Sequence, residues 1–86
     1  MREIIEKSIE EFNKHKSNEV QAYLMNFSNN LIKIKFFGEL LCETYCLNHY
    51  FENMASNLDN NNVKTEIKWI NTDDSCVNYL VDYEII

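Results

Sequence analysis

VQAYLMNFSNNLIKIKFF, residues 20–37, decides the fold. Two runs of apolar residues, Val20 to Phe27 and Leu31 to Phe37, flank the polar triplet Ser28-Asn29-Asn30. Asparagine tolerates positive φ, so Asn29-Asn30 suits a two-residue turn between antiparallel strands. That turn sets Phe27 opposite Ile32, Met25 opposite Ile34 and Tyr23 opposite Phe36. Side chains alternate along a strand, so these six share one face of the hairpin. The other face receives Asn26 with Lys33, Leu24 with Lys35, and Ala22 with Phe37.

On the N-terminal side, Arg2 to Lys16 places Ile5, Ile9 and Phe12 on one stripe, flanked by Ile4, with Glu3, Glu6, Lys7, Glu10 and Glu11 elsewhere. This spacing predicts an amphipathic helix. On the C-terminal side, Gly38 stands at a strand-to-helix corner, where a lone glycine marks backbone that other residues resist. Glu39 to Leu58 then reads as a second helix, with Leu40, Leu47, Phe51, Met54 and Leu58 on its apolar stripe. Asp59-Asn60-Asn61-Asn62 ends it, asparagine being able to take the left-handed cap geometry.

Val63 to Asn71 and Cys76 to Ile86 form a second pair of strands. A three-residue loop over Thr72 to Asp74 keeps apolar residues together: Trp69 with Val77, Ile67 with Tyr79, Thr65 with Val81 and Val63 with Tyr83. It also sets Lys64 opposite Asp82. A register slip by one residue would expose the whole set.

The expected fold is α+β, a two-layer sandwich in the order α-β-β-α-β-β. A four-stranded antiparallel sheet carries both helices packed on one face. The chain is one domain, 1–86, made of two helix-plus-hairpin units, 1–37 and 38–86. In topology this is the ferredoxin-like order with its first strand moved to the end, a comparison that carries no function.

Composition narrows the function. With 86 residues, 45% of them apolar and 26% charged, the chain is an ordinary globular domain. Its net charge of −6 and scattered lysines argue against nucleic acid and anionic membrane surfaces as partners. Apolar runs are too short for a membrane span. The charged start, Met-Arg-Glu-Ile-Ile-Glu-Lys, and an odd count of three cysteines point to the cytoplasm and reduced thiols. One glycine cannot build a phosphate-cradling loop, and G-x-S-x-G is absent, so the nucleotide and serine-hydrolase motifs are excluded on residue supply.

Two candidate sites remain. Cys42, Cys46 and His49 fall on the second helix opposite its apolar stripe, at spacings that suit a metal ion or a reactive thiol. Cys76 falls on the far side of the sheet in the register above, which leaves no four-ligand cage and no predicted cofactor. The second candidate is apolar surface. With the helices covering the Tyr23, Met25 and Phe27 side, the other sheet face presents Val20, Ala22, Leu24, Leu31, Phe37, Ile70 and Leu80. Lys33, Lys35, Glu66 and Lys68 interrupt it. Tyr45 and Tyr50 flank the second helix as further contact candidates, tyrosine being enriched at interfaces. The expectation is a non-catalytic domain that binds protein, as a homodimer or as a subunit of a larger assembly. The alternative is a thiol or metal protein using Cys42, Cys46 and His49.

Overall fold

The computed structural model describes residues 1–16, 20–42, 47–72 and 77–86. Helix α1 spans Arg2–Lys16, and strands β1 (Gln21–Ser28) and β2 (Leu31–Phe37) follow. A 3-10 turn over Glu39–Cys42 precedes helix α2 (Leu47–Asn60), then come β3 (Thr65–Thr72) and β4 (Asn78–Ile85). The sheet order is β1-β2-β4-β3 with every neighbouring pair antiparallel. Strands β2 and β3 both run antiparallel to β4 between them, so they are parallel to each other, a split β-α-β unit around α2. The α+β class and element order expected from the sequence are those of the protein.

The core lies between the helices and one face of the sheet. Ile5, Ile9 and Phe12 of α1 and Phe51, Met54 and Leu58 of α2 are buried against Ile32, Ile34 and Phe36 of β2 and Val81 and Tyr83 of β4. Aromatic rings tie the layers together. Phe12 meets Phe36 edge-on at 5.5 Å, Phe36 meets Phe51 at 5.0 Å, and Phe51 meets Tyr79 at 5.8 Å. Such pairs add to the burial of their own area. Phe36 thus touches both helices from the middle of the sheet.

The first hairpin turns at Asn29, whose φ of 55° is the positive value expected there. Near the turn the register is as anticipated, with Phe27 opposite Ile32 and Asn26 opposite Lys33. Beyond it a bulge between Leu24 and Asn26 inserts Met25, so Leu24 pairs with Ile34 and Ala22 with Phe36. The expected pairs Met25–Ile34 and Tyr23–Phe36 do not form. Val20, Ala22 and Leu24 turn toward the helices, and Tyr23 and Met25 turn outward. One cause is visible at the edge of the sheet. The Asn13 carboxamide donates to the Ala22 carbonyl at 2.9 Å and accepts from the Ala22 N–H at 2.7 Å. Both backbone groups of Ala22 therefore point away from β2 and are satisfied from α1.

The second hairpin departs further. Thr65 pairs with Ile85, Ile67 with Tyr83, Ile70 with Val81 and Thr72 with Tyr79. β3 runs to Thr72, which the expected three-residue loop includes, and β4 starts at Asn78, while residues 73–76 lie outside the described residues. The Thr72 hydroxyl donates to the Asn78 carbonyl at 3.1 Å. The register is displaced from the turn onward, with Thr72 already opposite Tyr79, and a bulge between Ile67 and Trp69 changes it by one further residue. Trp69 stands opposite Asp82, away from the core. Gly38 has no positive φ. It is buried, donates its N–H to the Val77 carbonyl at 2.9 Å and accepts from Leu41 N at 3.2 Å. That i to i+3 bond opens the segment as a 3-10 turn where an α-helix starting at Glu39 was expected.

Helix α2 ends in a Schellman motif. Val63 N–H reaches the Leu58 carbonyl at 2.8 Å, Asn62 N–H reaches Asp59 at 2.9 Å, and Asn62 has φ 69°. Val63 and Leu58 are both buried, the apolar contact that accompanies this cap. Replacing Asn62 by glycine keeps the geometry without a Cβ penalty and is expected to hold or slightly raise stability. Asn62→Val places a β-branched residue in the left-handed region and is expected to cost about 1–2 kcal/mol. Urea unfolding of the two variants checks this; equal midpoints would contradict the role given to Asn62.

Tyr83 is the largest fully buried side chain, and its hydroxyl donates to the Phe51 carbonyl at 2.8 Å. Burial pushes this phenol well above the ordinary tyrosine value of 10.0. Because the folded value is raised, its stabilisation is full below the unfolded pKa and is lost as pH climbs toward the folded one. Stability is therefore expected to fall as pH rises beyond about 10, the unfolded tyrosine value. Tyr83→Phe is expected to lose about 1 kcal/mol at neutral pH and to flatten the alkaline fall. Denaturant titrations at neutral and alkaline pH test both, and parallel alkaline losses in the two proteins would refute it.

Candidate functional site

Each outer strand of the sheet carries a bulge, and each bulge turns two consecutive residues to the face away from the helices. In β1 these are Met25 and Asn26; in β3 they are Lys68 and Trp69. The central strands β2 and β4 alternate regularly, so Leu31, Lys33, Lys35 and Phe37 join Asn78, Leu80, Asp82 and Glu84 on that face.

The result is an open, mixed surface. Tyr23 is 48% exposed, Met25 52%, Phe37 47% and Trp69 64%. Tyr23, Met25, Lys35 and Phe37 line a shallow cavity of about 450 Å³. A neighbouring one of about 270 Å³ shares Met25 and Lys35 and continues to Asn71, Thr72, Asn78 and Leu80. Together they cross the sheet from β1 to β3. Charges occupy the other half. Lys68 Nζ lies 3.5 Å from Glu84 Oε1, and Lys33 stands opposite Asp82 across β2 and β4.

Several expected contact residues lie elsewhere. Val20 and Ala22 are in the core, and Leu24 packs against it, so none of the three is on the outer face. The bulge at Met25 is the reason. Tyr50 is buried as well, which removes it as a surface contact. Phe37 is exposed on the outer face as expected, and Leu80 is half-buried there. Ile70 is exposed on the edge strand but stands opposite Val81, in the register of the core row. Tyr23, Met25 and Trp69, read from the sequence as core, are the residues that reasoning missed. The exposed aromatic surface is made largely of them.

Of the thiol and imidazole candidates, His49 is exposed on α2. The side chain of Cys42, together with Tyr45, Cys46 and Cys76, lies outside the described residues. Among the described residues no three His, Cys, Asp or Glu side chains gather as a metal-binding group. No helix among them is long and apolar enough to cross a membrane. The chain matches no protein-family model, no curated protein and no solved structure.

Trp69 is the only tryptophan and so reports on this face alone. In dilute solution its fluorescence is expected to peak in the solvent-exposed range and to be quenched readily by iodide or acrylamide. A blue-shifted, protected emission would instead place Trp69 in the core and undo the register of β3.

Proposed function

We propose that this chain is a non-catalytic binding domain whose outer sheet face is a docking surface, and that the occupant is a second copy of the same chain. The observation that carries the reading is the contrast between this face and the whole molecule. Lys33, Lys35 and Lys68 balance Glu66, Asp82 and Glu84 on the strands of this face, whereas the chain has a net charge of −6. The face is thus locally neutral, so two copies of an acidic protein can meet there without the repulsion their net charge implies.

The arrangement is also self-complementary. Strands β2 and β4 are the central pair, one carrying Lys33 and Lys35, the other Asp82 and Glu84. A two-fold axis parallel to the strands lays β2 of one copy over β4 of the other and brings the lysine row against the acidic row. The same operation lays Tyr23 and Met25 of β1 over Trp69 of β3. Sheets pack face to face in this aligned manner, and here the apolar contacts of the outer strands would flank the charged central rows.

Size sets the strength. Four strands of about eight residues present roughly 500 Å² in projection, toward the small end of specific interfaces. A reversible dimer is expected, with a dissociation constant in the micromolar range and weakened by salt. A reducing compartment such as the cytoplasm suits the three cysteines.

Sedimentation or light scattering over a concentration series tests the reading. The expected result is a monomer–dimer equilibrium that Phe37→Glu shifts at least tenfold toward monomer while the circular dichroism spectrum is unchanged. A monomer at every concentration, or a dimer indifferent to Phe37→Glu, would overturn it.

A further inference from the structure

On the other side of the molecule, α1 and α2 meet along a polar seam. On α2, His49, Asn53 and Asn57 recur every four residues and so lie in one row, which Asn61 extends in the turn that ends the helix. Ser8, Glu11 and His15 form the facing row on α1. One half of the seam is closed by hydrogen bonds. Asn57 Nδ2 donates to the Ser8 carbonyl at 3.4 Å, and Asn61 Nδ2 lies 2.9 Å from Ser8 Oγ and 3.0 Å from Glu11 Oε1. Ser8 Oγ in turn donates to the Ile4 carbonyl at 3.0 Å. These bonds fix the two helices in antiparallel register.

The other half is open. His15, His49 and Asn53 line a groove of about 310 Å³ floored by Phe12. Among the described residues, the one interaction of these three is the edge contact of the His49 ring with Tyr50 at 6.3 Å. Two imidazoles and a carboxamide thus line one cleft from two helices, with no hydrogen bond to any of the three among the described residues.

We propose that this open half is a binding site for a divalent transition-metal ion of the zinc class, with His15 and His49 as nitrogen ligands and the Asn53 carboxamide oxygen as a third. Imidazole is the usual protein ligand for such ions. The sign of the charge favours a cation over an anion, because the chain carries −6 and Glu11 stands one turn from His15. Water completes the coordination, so the site is open and binds less tightly than a four-ligand structural zinc centre. It differs from the Cys42, Cys46 and His49 set by drawing its defining ligand, His15, from the other helix. It is also independent of the sheet face.

Zinc chloride titrated into the whole protein at neutral pH, followed by calorimetry and by histidine-ring NMR, tests the assignment. One equivalent is expected to saturate, to move the ring signals of both His15 and His49 and to raise the melting temperature. His15→Ala, His15→Gln and His49→Ala are each expected to weaken binding at least tenfold with the fold intact. The Phe37→Glu variant is expected to bind zinc as the unaltered chain does, which separates this site from dimer formation. No saturable binding, or binding that survives both His15 variants, would overturn the proposal. So would binding that is lost on cysteine alkylation but kept in His15→Ala, since the ion would then sit on thiols.

Discussion

Alternation of side chains along a strand is the constraint on which this structure depends, and one inserted residue in each outer strand resets it. A strand has no continuous way to rotate a side chain from one face to the other, so an insertion reverses everything beyond it. At Met25 the reversal brings the small and aliphatic Val20, Ala22 and Leu24 beneath α1 and sends Tyr23 outward. At Lys68 and Trp69 it lets Ile67 and Ile70 keep the register of the core row while the indole faces solvent. The central strands, free of insertions, hold Ile32, Ile34, Phe36, Val81 and Tyr83 in unbroken alternation.

The two faces of the molecule consequently differ in kind. The inner layer is apolar and aromatic, with Phe36 in contact with rings from both helices and Tyr83 anchoring β4 to the backbone of α2. A polar seam then sets the helices against each other, so their relative register is fixed by hydrogen-bond geometry as well as by packing. Burial favours association of the layers without directing it, whereas amide and hydroxyl groups must meet at defined distances. Among the described residues neither a helix nor a seam covers the outer face, and Tyr23, Phe37 and Trp69 are exposed there.

Much of the architecture was legible in the sequence because it rests on local rules. The stripe Ile5, Ile9 and Phe12 gives α1 with its observed limits, Asn29 takes the positive φ of a tight turn, and Asn62 takes the left-handed cap. The bulges were not legible, since no glycine or proline marks either one and regular alternation was assumed through both. Trp69 was drawn inward by its hydrophobicity, and that choice shortened the second loop and displaced the register of the hairpin. His15 looked like one more solvated residue at the end of a charged helix. Its proximity to His49 and Asn53 arises only when the helices are paired, and no pattern within α1 encodes it. The thiols are a different matter: Cys46 and Cys76 lie outside the described residues, so the sequence remains the only guide to them.

Asn13 has a consequence that reaches beyond a single molecule. By bonding both backbone groups of Ala22, its carboxamide occupies the position that a neighbouring strand would take on the free side of β1. Continuous cross-β growth requires each chain to accept a neighbour on both flanks. Here one flank is stoppered at Ala22 by a side chain of the same molecule. A strand approaching β1 at Ala22 must first displace that carboxamide, a local brake on edge-to-edge pairing.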